Sequence, residues 1–127
     1  MEFTPEIKKA TQPIYQKISK TIPEIEWSTH APYIYEINKL KKEKNAVILA
    51  HNYQTPEIYH GISDFSADSL ALAVEAAKTK ADIIVMCGVH YMAETAKLMS
   101  PNKKVLLPDM KAVCSLSSSI TGEDVKK

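Results

Sequence analysis

Four hydrogen-bonding side chains follow directly after a short apolar run near the middle of the chain. The run AVILA at 46–50 is typical of a buried strand. It is followed by His51, Asn52, Tyr53 and Gln54. An imidazole can donate to a substrate oxygen or exchange a proton near neutral pH, and a phenol can do the same as a weaker acid. A structural histidine bonded to a backbone carbonyl is the alternative, but the neighbouring Tyr53 favours a site in which both act, while Asn52 holds the loop.

A second polar pair, Asp68 and Ser69, stands at the start of a predicted helix. Asp68 is a good N-cap residue. Ser69 then falls in the first turn, where its hydroxyl and the free backbone N–H groups point the same way. That arrangement binds a carboxylate or a phosphate. A simple capping hydroxyl is the alternative for Ser69, and the residues alone leave both open.

The two cysteines stand in different surroundings. Cys87 ends an apolar run, where cysteine usually serves as a small hydrophobic residue. A nucleophile–base pair with His90 is conceivable, but no third group orients it. Cys114 is expected in a loop beyond Pro108 and Asp109 with Ser115 next to it, and an exposed thiolate there could ligate a metal. One thiol cannot hold a zinc ion or an iron–sulfur cluster alone.

Further side chains follow Cys87 at the start of the next predicted helix. Tyr91 and Met92 are candidates for the wall of a site, with a core or rim position as the alternative. Glu94 and Lys97 lie three residues apart, a spacing that predicts an intrahelical ion pair.

The elements that must position these side chains alternate in type. Residues 1–31 are irregularly patterned, with a helix start at Thr4-Pro5, and residues 32–44 predict an amphipathic helix. The prolines expected to interrupt short helical stretches are Pro5, Pro13, Pro23 and Pro32. Strands are predicted at 46–50, 81–88 and 103–109, and helices at 68–80 and 91–100. The expected inner faces of these two helices are Leu70, Ala73, Val74 and Ala77, and Met92, Thr95, Ala96 and Met99.

This alternation predicts an α/β fold, a three-layer arrangement in which helices flank a parallel sheet. Ligands of open parallel sheets bind beyond the carboxyl ends of the strands. The segments after the three strands therefore share one edge. We expect His51, Ser69 and Cys114 to surround a single pocket there.

Bulk composition excludes several classes of function. The chain has 127 residues, 45% of them hydrophobic, and a formal net charge of +1, which suits one domain and gives no footprint for nucleic acid. The Lys-rich run at 39–44 is interpreted as a solvated helix end. No apolar run predicts a membrane span or a secretory signal. We therefore expect a cytosolic protein with reduced thiols.

Four segments together resemble the first third of the quinolinate synthases. They are AHNYQTPEI, DFSADSLALA, GVHYMAETAKLMSP and KVLLPDMKAVCSL, in this order and spacing, within residues 46–119. The resemblance implies that residues 1–45 form an N-terminal helical lead-in. Residues 46–127 would then be the first of three pseudo-symmetric α/β domains, truncated at its C-terminal end.

The resemblance also implies an activity. Quinolinate synthases condense iminoaspartate with dihydroxyacetone phosphate to quinolinate in de novo NAD biosynthesis, as transferases that use a [4Fe-4S] cluster as a Lewis acid. By this resemblance Cys114 is one of three cluster ligands, and His51 and Ser69 bind iminoaspartate. Tyr53 takes part in proton transfer. The enzyme that supplies iminoaspartate is a possible partner.

Some positions depart from the family pattern. Ala67 replaces the usual glycine before Asp-Ser-Leu, Val113 precedes the cysteine, and Ser117-Ser118 replaces Ala-Asp. The segment 120–127 predicts the start of a helix. We expect a fragment that is inactive alone. The alternative is a stand-alone, non-enzymatic α/β module that binds a small dicarboxylate or an interaction partner.

Overall fold

The computed structural model describes residues 2–112, 119 and 121–126. In chain order the elements are α1 (Pro5–Ile18), α2 (Glu24–Lys44), β1 (Ala46–His51), α3 (Pro56–Gly61), β2 (Phe65–Ala67), α4 (Ser69–Lys78), β3 (Ile83–Cys87), α5 (His90–Met99), β4 (Lys104–Leu106) and α6 (Gly122–Lys126).

The four strands form one parallel sheet in the order β2-β1-β3-β4. β1 is central, with His51 paired to Ala67 of β2 and Ala50 paired to Cys87 of β3. Helices flank the sheet on both faces, which confirms the predicted α/β class. Membership of a set of three pseudo-symmetric domains stays a prediction.

The larger core lies between the sheet and the α4–α5 layer. Leu49, Leu72, Ile84 and Met86 are completely buried in it. On the opposite face Ile48, Ala50 and Cys87 form a second cluster, against which side chains of α2 and α3 pack. Because β1 is buried on both faces, its sequence is a continuous apolar run rather than an alternating one.

The prediction that prolines break the N-terminal region is wrong for Pro13 and Pro32, which lie inside α1 and α2. Pro32 is among the largest fully buried side chains, in α2 beside Ala31 and Ile34. Burial of this apolar face offsets the hydrogen bond that a proline removes from a helix. Pro13 is exposed, so water can solvate the carbonyl it leaves unpaired. The helix start at Thr4-Pro5 is confirmed, since the Thr4 hydroxyl accepts a hydrogen bond from the Ile7 N–H at 3.3 Å.

The predicted inner face of α4 is confirmed at Ala73, which is completely buried, but is otherwise rotated from the observed one. Leu70 is 70% exposed and Val74 is 37% exposed, whereas Leu72 and Ala76 are completely buried. Apolar residues occupy most of this helix, so periodicity alone does not select the buried side. For α5 the prediction holds at Met92 and Ala96 but not at Met99, which is 43% exposed.

Two observed elements, α3 and β2, are absent from the elements predicted from the sequence. Helix α3 begins with Thr55-Pro56-Glu57, the same kind of start signal as Thr4-Pro5-Glu6, so this element could have been found. Strand β2 has three residues and an exposed Phe65, and it gives no apolar pattern to detect.

Side-chain bonds hold the amino ends of the strands. Asp64, just before β2, accepts hydrogen bonds from the Ile48 N–H at 2.8 Å and from Lys41 Nζ at 3.0 Å. Lys41 is therefore not part of a fully solvated run, since its side chain is 14% exposed. Asn45 adopts the left-handed conformation (φ 51°) between α2 and β1, and its Nδ2 donates to Asp82 Oδ2 at 3.0 Å.

None of the helices in the described ranges could cross a bilayer, because none joins sufficient length to an apolar composition.

Leu49→Ala should lower the free energy of unfolding by about 2–5 kcal/mol, because Leu49 is completely buried in β1. Leu98→Ala is the matched control: Leu98 is 81% exposed, and its loss should change stability by less than about 0.5 kcal/mol. Chemical denaturation of both variants measures the difference. Equal losses would contradict the position of β1 in the core.

Candidate functional site

The carboxyl ends of the four strands lie at one edge of the sheet, here called the carboxyl edge. Parallel pairing of β1 with β2 and β3, and of β3 with β4, requires this. The segments that leave the edge are 52–55 after β1, the first turn of α4 after β2, and residues 88–90 after β3. Two of the three predicted post-strand segments, those after β1 and β3, thus leave from this edge. The third, after β4, is described only as far as Ala112.

His51 and Tyr53 are in contact at the end of β1. Their ring centroids are 4.2 Å apart, with an interplanar angle of 74°. The backbone N–H of Tyr53 donates to His51 Nδ1 at 3.3 Å. Because Nδ1 accepts this bond, the proton of the neutral imidazole lies on Nε2, which is then a donor. The two residues predicted to act together thus lie side by side.

Ser69 lies in the first turn of α4, as predicted, and Asp68 is the N-cap, accepting a hydrogen bond from the Ala71 N–H at 3.2 Å. The capping function therefore belongs to Asp68. The Ser69 hydroxyl is hydrogen-bonded instead to Tyr91 Oη, at 3.2 Å. The sequence alone leaves Tyr91 open between the wall of a site and a core or rim position. No local signal links it to Ser69, 22 positions away.

Gly88 brings the end of β3 close to the end of β1. A Cβ atom at this position would lie 3.8 Å from His51 Cβ and 2.6 Å from Met92 Sδ. The second distance is shorter than a non-bonded contact allows, so a side chain here would displace Met92. The absence of a side chain at Gly88 thus leaves room for the Met92 side chain of α5 beside the end of β3.

Described contacts do not join His51 to Ser69 directly. The link runs along the edge, because His51 pairs with Ala67, two residues before Ser69. Adjacent strands lie about 4.8 Å apart. His51 therefore stands between the β2–α4 side and the β3–α5 side.

His90 ties the start of α5 to the segment that follows β4. Its backbone N–H donates to the Ala112 carbonyl at 2.7 Å. Just before Ala112 the chain makes a turn. In this turn Asp109 Oδ1 accepts a hydrogen bond from the Lys111 N–H at 2.9 Å. Ala112 is two residues before Cys114.

The predicted Glu94–Lys97 ion pair is wrong. Glu94 Oε1 contacts His90 Nδ1 at 2.7 Å, and Lys97 Nζ donates to the carbonyls of Pro101 at 3.0 Å and Lys103 at 2.6 Å. The four-residue spacing of His90 and Glu94 is the sequence signal that predicts the observed contact. Lys97 instead satisfies carbonyl groups just beyond its own helix.

Cys114, the predicted metal ligand, lies outside the described residues, as do Val113 and 117–118. Within the ranges that are described, no group of three His, Cys, Asp or Glu side chains could hold a metal ion. The convergence of Cys114 with His51 and Ser69 stays a prediction.

Cys87 is buried at the end of β3 with 8% of its surface exposed, packed with Ile48 and Ala50. Burial raises the pKa of its thiol, because a thiolate would lose its solvation. A raised pKa is the opposite of what a nucleophile needs. The interpretation of Cys87 as a small hydrophobic residue fits this environment.

The chain should lose stability at alkaline pH through Cys87. With the pKa raised in the folded state, the unfolded chain releases the thiol proton first, so the free energy of unfolding falls as pH rises above about 8.5. The contribution is at most roughly 1.4 kcal/mol per pH unit. Denaturation at pH 7 to 10 should show a steeper decline for the unaltered chain than for Cys87→Ala. Parallel declines would contradict the burial of this thiol.

The comparisons with known proteins agree on one family. The family model described as quinolinate synthetase A protein matches residues 35–127. The quinolinate synthase of Caulobacter vibrioides (strain NA1000 / CB15N) is 61% identical over 124 residues, which cover 98% of this chain and 34% of that protein. That of Sinorhizobium fredii is 59% identical over 126 residues, covering 99% and 35%. That of Xylella fastidiosa is 64% identical over 92 residues, covering 72% and 27%. The chain thus spans about a third of the length of the first two relatives.

Proposed function

Because the chain belongs to the quinolinate synthase family, we propose that within a longer polypeptide it serves the condensation of iminoaspartate with dihydroxyacetone phosphate to quinolinate. The observation that carries this proposal is 61% identity extending over 98% of the chain. The product is a precursor of the NAD pyridine ring. An enzyme that delivers iminoaspartate is the expected partner, and the cytosol the expected compartment.

Atom balance explains why this reaction needs acid–base groups. Joining a four-carbon imine to a three-carbon phosphate ester gives the pyridine dicarboxylate only if phosphate and two waters leave. Each dehydration moves protons to and from carbon and oxygen. General acid–base catalysis of such steps requires a titratable side chain within hydrogen-bond reach of the substrate.

Tyr53 and His51 are the groups we assign to this end of the site. The Tyr53 phenol transfers protons during isomerisation and dehydration. His51 donates from Nε2 to a substrate oxygen, since Nδ1 already accepts the Tyr53 N–H at 3.3 Å. Their ring contact limits the motion of both side chains.

Ser69 is assigned to a carboxylate of iminoaspartate. Asp68 performs the capping, so the Ser69 hydroxyl is not needed for that purpose. It lies half-buried at the start of α4, a helix of ten residues whose dipole favours an anion at this end.

The [4Fe-4S] cluster requires thiolates, and the described residues offer Cys87 alone, which is buried and has a raised pKa. By resemblance to the quinolinate synthases we assign the cluster ligand of this chain to Cys114, and we expect two further thiolates from the rest of the longer polypeptide. The hydrogen bond from the His90 N–H to the Ala112 carbonyl supports this assignment, because it holds Ala112, two residues before Cys114, beside the start of α5 at the carboxyl edge. When bound, a cluster with one open iron supplies a Lewis acid.

The proposal is tested with a fusion of this chain to the part of the Caulobacter vibrioides relative that lies beyond the match. Prepared without oxygen, the fusion should form quinolinate, and Tyr53→Phe should lower the rate about a hundredfold or more. Tyr33→Phe is the control, since Tyr33 is an exposed residue of α2. A fusion that holds iron and sulfide but forms no quinolinate would refute the function and leave non-enzymatic dicarboxylate binding as the alternative.

His90→Pro should lower the iron content of the fusion. Proline suits the first helical position, and Val89 before it is extended (φ −96°, ψ 165°), so the helix start survives while the donor to Ala112 is lost. His90→Ala keeps the N–H, removes only the imidazole, and should retain the iron. Iron and sulfide analysis compares the two; equal retention would contradict a role for the backbone bond.

A further inference from the structure

A hydrogen bond between two hydroxyl groups joins the α4 side of the carboxyl edge to the α5 side. Ser69 Oγ and Tyr91 Oη lie 3.2 Å apart. Tyr91 is 38% exposed and Ser69 is half-buried, so a small ligand at the edge can reach both oxygens. The contact is therefore accessible rather than part of the core.

Packing beneath the two hydroxyls determines their separation. Leu72 and Ala76 of α4 share one buried cluster with Met92 and Ala96 of α5. The two helix starts are thus fixed relative to each other, and little further conformational freedom is lost when the hydroxyls bond.

The number of hydrogens in this pair favours an anionic ligand. Each hydroxyl carries one hydrogen and can accept two bonds. When one hydroxyl donates to the other, a single O–H remains to be directed outward. If Tyr91 donates to Ser69 Oγ, the Ser69 hydrogen turns away from Tyr91, and the accepted bond polarises it further. A carboxylate oxygen, which only accepts, is the partner this hydrogen suits.

We propose that Tyr91 is a positioning residue that orients the Ser69 hydroxyl toward a substrate carboxylate. The inference rests on the proposed function, because it assigns the carboxylate to Ser69. It goes beyond that function in making carboxylate affinity a property of the pair rather than of Ser69 alone.

The test uses oxaloacetate, a dicarboxylate in which oxygen replaces the imine nitrogen of iminoaspartate. Its Kd is measured on the full 127-residue chain by NMR titration of the α4 and α5 amides. Tyr91→Phe keeps the ring and removes the hydroxyl, so Kd should rise about three- to tenfold. Ser69→Ala should weaken binding by about tenfold, and Ser69→Thr, which retains a hydroxyl, should restore most of the affinity.

The double variant separates positioning from independent binding. If Tyr91 acts through Ser69, the variant with both Tyr91→Phe and Ser69→Ala should bind no more weakly than Ser69→Ala alone. The thermal unfolding midpoint of Tyr91→Phe and the Kd of the exposed control Tyr33→Phe should stay unchanged. Losses that multiply, an unchanged Kd for Tyr91→Phe, or no binding of oxaloacetate by the unaltered chain would each overturn the inference.

Failure of the proposed function has a different signature. A fusion that forms no quinolinate, beside a chain in which oxaloacetate binding depends on both hydroxyls, refutes the synthase assignment and leaves the Tyr91 inference standing. If the fusion forms quinolinate and Tyr91→Phe does not change its KM for iminoaspartate, the function is supported and the inference is overturned. In an active fusion Tyr91→Phe should raise KM and leave kcat unchanged.

Discussion

Parallel pairing of β1 on both sides is the constraint on which the rest of the structure depends. A central strand that bonds β2 on one side and β3 on the other has no free edge, and it must be apolar on both faces. The only polar side chains that such a strand can present lie at its ends. His51 is the last residue of β1, and its polar neighbours follow at once. Chain direction in β2 and β3 then brings the starts of α4 and α5 to the same edge.

The elements predicted well are those whose signal is local and strong. The β1 run, the N-cap at Asp68, and the glycine after β3 each act through nearest neighbours in the chain, and the structure contains all three. The proximity of His51 and Tyr53 follows from the same locality, because two residues across a strand end cannot separate far. Periodicity is weaker evidence: most residues of α4 are apolar, so only the position of the sheet decides that Leu72 is buried while Leu70 is not.

What the sequence could not reveal depends on contacts between distant segments. The Ser69–Tyr91 bond exists because α4 packs against α5, and the contact between His90 and Ala112 exists because the chain turns back after β4. Pro32 lies within a helix because its surroundings bury it, which overrides the local tendency of proline to end one. Lys97 has Glu94 within helical reach, yet the backbone carbonyls of Pro101 and Lys103 accept hydrogen bonds from its ammonium group instead. In each case contacts between distant segments decide between local structures or bonding partners that the sequence alone does not distinguish.

The opposite edge of the sheet explains why polar residues are tolerated at the carboxyl edge. There Asn45, Asp64 and Asp82 hold the beginnings of the strands through side-chain and backbone hydrogen bonds. Lys103 adds a bond from its Nζ to the Ala81 carbonyl at 2.9 Å. Register is set from that side and by the apolar core, and the segment after β1 adds a backbone hydrogen bond from the Asn52 N–H to the Ala67 carbonyl at 3.1 Å. Since none of these interactions needs a particular side chain at the end of β1 or just after it, an imidazole and a phenol can stand where an ordinary connection would use simpler residues.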